Sequence, residues 1–335
     1  MRVLITGGAG YIGSHAVRCF QAAGHQVWVY DNLSEGHAAA VPDGVLVKGD
    51  LADSQALEAL LHSCRIEAVV HFAAFCYVGE SVQDPEKYYV NNLANTLQLL
   101  RAMRRVNVQR FVFSSTCATY GVPSRVPITE DEPQRPINPY GRAKLAVEWL
   151  LADFAQAYGL GYAALRYFNA AGASEAGDIG EDHEPETHLI PIALQAALGQ
   201  RPHVEIFGAD YPTPDGTCIR DYIHVDDLAE AHRLALDRLQ PGRGLLLNLG
   251  SEVGSSVREV IDACREITGR PIPVKEGPRR PGDPPVLVAS SRKAQEVLGW
   301  QPRFRRLKDI VASAWRWHST HPHGYGDRAR DRTRA

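Results

Sequence analysis

A glycine-rich turn near the start of the chain constrains the fold more than any other stretch. The apolar residues 2–6 have strand character and lead into a turn with glycines at Gly7, Gly10 and Gly13, and a helical pattern begins inside that turn. Glycines allow the tight turn, the close approach of a pyrophosphate and the packing of the helix against its strand. The helix N-terminus adds free N–H groups and a positive dipole end. The sequence therefore predicts a dinucleotide site here.

An acidic residue at the end of the next strand predicts which dinucleotide binds. The apolar run 26–30 stops at Asp31, eighteen residues past Gly13. A carboxylate at this place accepts hydrogen bonds from the adenosine ribose hydroxyls and repels a 2′-phosphate. The cofactor expected is therefore NAD rather than NADP.

Strand and helix patterns continue to alternate after Asp31. Strands are predicted at 45–48, 67–71 and 110–113, and helices at 56–61 and 85–105. This repetition predicts an α/β fold with a doubly wound parallel (Rossmann) sheet, in which ligands bind at the carboxyl ends of the strands. Farther along, shorter strands at 203–207 and 245–249 alternate with helices at 225–239, 257–268 and 307–318, which predicts a smaller α/β carboxyl-terminal domain.

Three regions follow from these patterns. Residues 1–170 are predicted to form an NAD-binding Rossmann domain, and residues 171–323 a substrate domain, some segments of which return to the first. The tail 324–335, with four arginines and two aspartates, is expected to be disordered.

Composition excludes several classes of function. The chain has 335 residues, with 36 Lys and Arg against 39 Asp and Glu, so no nucleic-acid or membrane partner is indicated. The six cysteines are scattered without a C-x-x-C pair, and no metal site is predicted. Because the first strand begins at Arg2, we expect no signal peptide, and the absence of a long apolar run argues against a membrane span. Reduced thiols favour a cytoplasmic location.

Two ends of predicted strands add candidate cofactor contacts. Asp50 and Leu51 follow the third strand, where a carboxylate could reach the adenine. Phe72, Ala73 and Ala74 follow the fourth, where small residues would leave room for the pyrophosphate.

A tyrosine and a lysine supply the candidate chemistry. Asn138 suits a helix N-cap and Pro139 the first helical position, so Tyr140 and Lys144 lie one turn apart on one face. A free phenol has a pKa of about 10, which is too high for a base at neutral pH. The lysine ammonium, together with the positive nicotinamide ring, would lower it, and Thr116 could hydrogen-bond the same substrate hydroxyl. A buried aromatic beside a surface lysine is the alternative, but the preceding dinucleotide fold favours a catalytic pair.

Together, these motifs resemble the UDP-glucose 4-epimerase family, a branch of the extended short-chain dehydrogenases/reductases, over almost all of residues 1–325. The Gly-x-x-Gly-x-x-Gly spacing of the turn is the form found in those enzymes. The resemblance rests on the segments 6–15, 30–33, 71–74, 78–81, 88–92, 139–144, 165–169, 177–181 and 220–225.

The resemblance implies a role for individual residues. The cofactor contacts implied are Tyr11, Ile12, Asp31, Asn32, Asp50, Leu51, Phe72, Asn91 and Phe168, with Lys144 on the nicotinamide ribose. Thr116 and Tyr140 would contact the 4′-hydroxyl of the sugar. The contacts implied for UDP are Asn169, Leu189, Phe207 under the uracil, Arg220 and Arg280 on the phosphates, and Asp283 on the uridine ribose. Leu287 would border the sugar pocket, where some relatives carry a larger tyrosine.

The implied reaction is 4-epimerisation of a UDP-sugar through a 4-keto intermediate, with tightly bound NAD that is regenerated in each cycle. UDP-glucose and UDP-galactose are the expected pair, and Leu287 extends the expectation to N-acetylated UDP-hexoses. UDP-pentose epimerisation and a catalytically silent NAD-binding regulator are the alternatives. A dehydratase or decarboxylase is disfavoured because Cys117 and Ala118 stand where those enzymes carry acidic residues. A homodimer is expected through the helices that start near Pro85 and Pro139.

Three residues depart from the family pattern or invite a second interpretation. Cys76 stands where some relatives have a lysine near the cofactor, and His188 where some have an asparagine near the sugar phosphate. For Cys117, packing at the strand end is favoured over nucleophilic work.

Overall fold

The protein is described here by a computed structural model that covers residues 1–280 and 283–327. Seven parallel strands form the main sheet in the order β10-β6-β5-β4-β1-β2-β3. The strands are β1 Arg2–Thr6, β2 Gln26–Asp31, β3 Leu46–Lys48, β4 Ala68–His71, β5 Arg110–Thr116, β6 Gly161–Tyr167, β7 Asn169–Ala171, β8 Val204–Phe207, β9 Ile219–His224, β10 Gly244–Leu249, β11 Gly254–Ser256, β12 Val274–Gly277 and β13 Val286–Leu287. The predicted fold class is confirmed.

Helices cover both faces of this sheet. They are α1 Tyr11–Ala22, α2 Ser54–Ser63, α3 Val78–Gln83, α4 Pro85–Tyr88, α5 Asn95–Arg105, α6 Pro139–Tyr158, α7 Leu189–Ala197, α8 Val225–Arg238, α9 Val257–Thr268, α10 Arg292–Leu298 and α11 Leu307–Thr320, with short 3₁₀ turns at Ala38–Ala40 and Cys117–Thr119. Strand β1 shows why two layers are needed. Its three central side chains are fully buried and alternate in direction. Val3 and Ile5 enter the core under α1 and α8, whereas Leu4 enters the core under α2, α5 and α6.

The helix predicted over 85–105 is interrupted. A π-helical segment, Tyr89–Ala94, joins α4 to α5. Within it, the Asn92 side chain accepts from the Phe75 N–H and donates to the Phe75 carbonyl, each at 2.9 Å. Such a turn is a frequent feature of functional sites, and periodicity alone does not predict it.

The carboxyl-terminal half divides between two cores. Helices α7, α9 and α11 and the short strands β8 and β9 enclose a separate apolar core. However, β10 completes the main sheet and α8 packs against α1. The division of the chain at residue 170 remains a prediction, with 225–249 lying on the side of the first sheet.

The last described residues are held in place. Residues 324–327, which were expected to be disordered, include Tyr325, whose ring stacks on His37 at 4.7 Å between centroids. Asp327 Oδ1 lies 2.7 Å from His37 Nδ1, and the Tyr325 N–H donates to Asp182 at 3.0 Å. Aromatic stacking and these polar contacts outweigh the local charge that suggested disorder. The remainder of the predicted tail, 328–335, lies outside the described residues. No described helix is long and apolar enough to cross a membrane.

Candidate active site

The glycine turn forms a close-fitting cradle at the carboxyl end of β1. Gly7 has φ +72, and a Cβ there would lie 2.3 Å from the Ala73 nitrogen. A Cβ on Gly13 would lie 2.1 Å from the Gly7 carbonyl oxygen. Gly10 caps α1 without a side-chain hydrogen bond, and the first helical bond runs from Ser14 N–H to Gly10 O. The N–H groups of the first turn of α1 therefore precede the helical ladder, as an anion site requires.

The carboxylate of Asp31, which is the predicted ribose contact, is held by two backbone N–H groups. Its Oδ2 accepts from the Ala9 N–H and its Oδ1 from the Leu33 N–H, each at 2.9 Å. Burial raises the pKa of this carboxyl, and the two N–H groups oppose that shift. The carboxylate is thus oriented by the backbone of the glycine turn and of the loop that follows it.

An open cleft joins this cradle to the ends of β2, β3 and β4. It is lined by ten residues predicted from the sequence, Gly7, Gly10, Asp31, Asn32, Asp50, Leu51, Phe72, Ala73, Ala74 and Asn91. Six further lining residues were not predicted: Tyr30, Ser34, Glu35, Gly36, Gly49 and Phe75. Each of the six stands within four positions of a predicted one, so the loops after the strands indicate this part of the lining as well. The cleft fits a dinucleotide because small residues line it where backbone must approach the ligand.

The other predicted cofactor residues lie apart from this cleft lining. Tyr11 donates from its hydroxyl to the Gly172 carbonyl at 2.7 Å, and Ile12 packs against the core under α1. Gly13 supports the turn as described. Phe168 is buried with Tyr120 beside the end of β5. The roles of these residues, and of Lys144, as cofactor contacts remain predictions.

The tyrosine–lysine pair lies at the start of α6 as predicted. Asn138 accepts from the Gly141 N–H at 2.8 Å and Pro139 begins the helix. Lys144 is buried and donates to the Ser114 carbonyl at 2.8 Å, with its Nζ 5.9 Å from the centroid of the Tyr140 ring. This bond holds the ammonium at the carboxyl end of β5, close to the phenol.

Burial dominates the electrostatics of this pair. It raises the pKa of Tyr140, and it lowers the pKa of Lys144 to about 8. The expected lowering of the phenol pKa is therefore not achieved by the protein's side chains alone. The physical reason is that the charged form of a buried phenol loses its hydration, while the ammonium is directed at Ser114. Lowering the pKa of the phenol therefore also requires the positive charge of the bound nicotinamide ring.

Thr116 ends β5 beside the phenol. Its Oγ1 accepts from the Ala118 N–H at 3.1 Å. The Thr116 side chain also opposes the effect of burial on Tyr140, because it lowers the pKa of that phenol. Burial raises the pKa of the adjacent Cys117 thiol to about 12. Cys117 packs with Leu287 on a small apolar cluster around Tyr120. A thiol in this state is a poor nucleophile, which agrees with a packing role.

Most of the predicted UDP contacts converge around the loop that follows β12. Arg280 lies with its guanidinium 4.9 Å from the centroid of Phe207, and donates to Asp283 at 3.1 Å. Arg220 pairs with the same carboxylate. Phe207 is 37% exposed, so one face of its ring is available to a base. Asn169 begins β7, Leu189 begins α7, and Leu287 in β13 is in register with Arg220.

Comparison with known proteins identifies the family. A family model described as the NAD dependent epimerase/dehydratase family matches residues 3–250. The chain belongs to this family. The resemblance found in the sequence is confirmed, and so are the expectations of an enzyme and of NAD as its cofactor.

Individual relatives align with almost the whole length of this chain. The chain is 54% identical over 333 residues to a UDP-glucose 4-epimerase of Halalkalibacterium halodurans, which covers 99% of this chain and 100% of that protein. A solved UDP-glucose 4-epimerase from Brucella ovis in complex with NAD is 52% identical, with a TM-score of 0.91 and coverage of 94% and 97%. The UDP-Glc/GlcNAc 4-epimerase from Campylobacter jejuni is 43% identical, with a TM-score of 0.84 and coverage of 95% and 99%.

Proposed function

We propose that this protein interconverts UDP-glucose and UDP-galactose as an NAD-dependent UDP-sugar 4-epimerase. One observation carries the proposal. Leu287 packs against the same apolar cluster as Cys117, the residue that follows β5, and is in register with Arg220. The cluster suited to UDP is therefore held next to Thr116 and the tyrosine–lysine pair, so a sugar attached to that UDP reaches the candidate base.

The side chains of the site have separate roles in binding and proton transfer. Arg220 and Arg280 bind the diphosphate, because guanidinium groups match phosphate oxygens in geometry and charge. Tyr140, as phenolate, takes the proton from the 4′-hydroxyl, and Thr116 holds that hydroxyl in place. NAD, when bound, accepts hydride from C4′ and returns it. Lys144 stabilises the phenolate from the end of β5.

Epimerisation requires the sugar to turn between the two transfers while the nucleotide stays in place. The proposed contacts suit this requirement, since the charged groups and Phe207 grip the UDP. The neighbours of the sugar, Leu287 and Cys117, offer apolar surface without charge. With Cys117 and Ala118 after Thr116, the site has no carboxylate there to catalyse an elimination, so the 4-keto sugar is reduced again.

The direct test is to purify the protein without added cofactor and supply UDP-glucose, UDP-galactose and UDP-xylose in separate reactions. We expect the two hexoses to interconvert without added NAD. Conversion of the pentose alone would replace the proposed substrate. No conversion of any UDP-sugar by a protein that holds NAD would favour a silent regulator.

A homodimer and a cytoplasmic location complete the proposal. Helix α3 and the π-helical segment both pack against α6. The three elements expose Val82, Val90 and Trp149, each more than half accessible. Pairing of this face between two copies would remove apolar surface from water. Sedimentation of the wild type as a dimer and of Trp149→Glu as a monomer tests this. All six cysteines are free thiols, which supports a reducing compartment.

A further inference from the structure

Four titratable side chains before α7 converge on one point, although their spacing suggested no metal site in the sequence. They are Glu181, His183, Glu186 and His188, and one ligand atom from each lies within 4.8 Å of the others. The His188 Nδ1 lies 2.9 Å from a Glu181 oxygen and 3.0 Å from a Glu186 oxygen. The His183 Nδ1 lies 3.2 Å and 3.6 Å from oxygens of the same two carboxylates.

His183 gives an independent sign that this cluster is built for a ligand. Its Nδ1 is buried and makes no hydrogen bond with any described residue, despite the two carboxylates within 3.6 Å. A ring N–H that pointed at either carboxylate would form such a bond. The atom lies close to both carboxylates without a hydrogen bond to either, and a cation shared by the three groups would account for this. A buried polar atom without a partner normally destabilises a fold, so its retention needs an explanation.

Hydrogen bonds hold the Glu186 carboxylate and the Glu181 backbone in position. Glu186 Oε1 accepts from the N–H groups of Thr187 and His188, each at 2.8 Å. This leaves Oε2 of Glu186 directed toward His183. The carbonyl of Glu181 is fixed by the Trp317 indole N–H at 3.1 Å. Supporting hydrogen bonds of this kind orient the ligands of metal sites.

The donor types suit a transition-metal centre. Zinc bonds to nitrogen and carboxylate oxygen measure about 2.0–2.2 Å, which places neighbouring ligand atoms of a tetrahedron about 3.3–3.6 Å apart. The His183 Nδ1 lies close to this separation from both carboxylates, at 3.2 Å from Glu181 Oε1 and 3.6 Å from Glu186 Oε2. Calcium and magnesium prefer sets made only of oxygen, whereas two imidazoles with two carboxylates suit a first-row transition metal.

We propose that Glu181, His183, Glu186 and His188 form a binding site for one divalent transition-metal ion of the zinc type. The site includes none of the residues assigned to proton transfer. It fastens the segment before α7, where His188 stands at a position that in some relatives carries an asparagine near the sugar phosphate. The His183 ring stands edge-on to Tyr11 of α1 at 6.3 Å and to Tyr77 at 6.0 Å, and His188 directly precedes Leu189. An ion here would link the segment before Leu189, a predicted UDP contact, to helix α1, which follows the glycine turn.

The test uses the purified full-length protein with its bound cofactor, titrated with zinc chloride in a calorimeter. We expect one zinc ion per chain. We also expect the affinity to fall by at least about tenfold in His183→Gln and in Glu186→Gln. The control variant His62→Gln removes an exposed histidine on α2 and should bind like the wild type.

A second measurement guards against variants that fail to fold. Cobalt(II) added to the wild type should give the strong visible absorption of a tetrahedral centre, and zinc should displace it. Weak absorption typical of octahedral cobalt would overturn the proposal. So would zinc binding that is unchanged in His183→Gln, or that is lost in His62→Gln, since either places the metal elsewhere.

Discussion

At the scale of single residues, Tyr140 carries the largest expected effect. Tyr140→Phe keeps the ring that packs edge-on to Tyr88 at 6.4 Å but removes the oxygen that is proposed to accept the proton as a phenolate. Proton transfer by a placed group contributes about 10²–10⁴-fold, so kcat should fall by that factor while UDP affinity stays near that of the wild type. Tyr158→Phe, at the exposed end of the same helix, is the matched control. A Tyr140→Phe enzyme with most of its activity would remove the base from the proposed mechanism.

Lys144 predicts a particular dependence of stability on pH. In the folded chain its pKa lies at about 8, whereas an unfolded lysine titrates near about 10.4. Between these values the unfolded chain binds more protons, so the stability of the wild type should rise with pH relative to Lys144→Met. The rise reaches at most about 3 kcal/mol.

Urea unfolding of both proteins, freed of bound dinucleotide and measured from pH 7 to pH 10.5, checks this sign and size. The difference between the two free energies of unfolding should grow across that range. A constant difference would mean that the buried ammonium keeps its proton as readily as in water.

Leu287 predicts the substrate range. It is only partly buried against the cluster beside Cys117, so space remains on the side where a sugar would lie. We therefore expect UDP-N-acetylglucosamine to be epimerised as well as UDP-glucose. Leu287→Tyr would overfill the pocket at a cost of about 1–3 kcal/mol, which slows the acetylated substrate about 5–150-fold more than the plain one. Steady-state kinetics on both substrates decide it: equal slowing of the two, or a wild type inactive on the acetylated sugar, contradicts the assignment.

At the scale of secondary-structure elements, the strand–turn–helix unit from β1 to α1 predicts tight retention of NAD. The protein should carry NAD through gel filtration, because the cradle is complete and the reaction needs no exchange. Gly13→Ala places a methyl group 2.1 Å from the Gly7 carbonyl oxygen and should abolish this retention by displacing the turn. Gly79→Ala is the control, since a Cβ there meets no atom within 4 Å. Nicotinamide released on denaturation is the measurement, and equal amounts from both variants would contradict the prediction.

Elements with a strong periodic pattern were the ones that the sequence predicted well. The strand 2–6 and the helix 257–268 agree with the structure at both ends, and Asn138 caps α6 as expected. The π-helical segment was missed because helical periodicity does not distinguish it from the α-helices on either side. The short strands β7, β11 and β13 were missed because two or three residues carry no periodicity. The longer strands β6, β9 and β12 were not predicted either.

In the candidate site too, features set by local geometry were predicted, whereas features set by the overall fold were not. Motif positions near the glycine turn line the cleft, since local geometry places them there. The raised pKa of Tyr140 and the meeting of His183 with Glu181 and Glu186 depend on burial and on the path of the loop, which spacing does not encode.

At the scale of the whole molecule, the carboxyl-terminal residues 324–327 pack on the loop that borders the predicted cofactor cleft. Ser34 and Gly36 line the cleft, and His37 follows them directly. The Tyr325 ring stacks on His37 and also contacts the Trp317 ring at 4.7 Å between centroids. The segment thus connects α11 to the loop after β2, across most of the length of the chain.

A chain that ends at His323 loses these contacts, whereas a chain that ends at Asp327 keeps them all. The first truncation should lower the free energy of unfolding by about 1–3 kcal/mol, since it removes a half-buried aromatic side chain and two polar contacts of His37 and Asp182. It should also release NAD faster, because the loop beside the ribose site loses its support. The two truncated proteins are compared by thermal unfolding and by the rate of NAD loss on dilution. Equal rates would mean that the loop after β2 is held by its own backbone contacts, such as the His37 N–H to the Ala9 carbonyl at 2.9 Å, and not by the end of the chain.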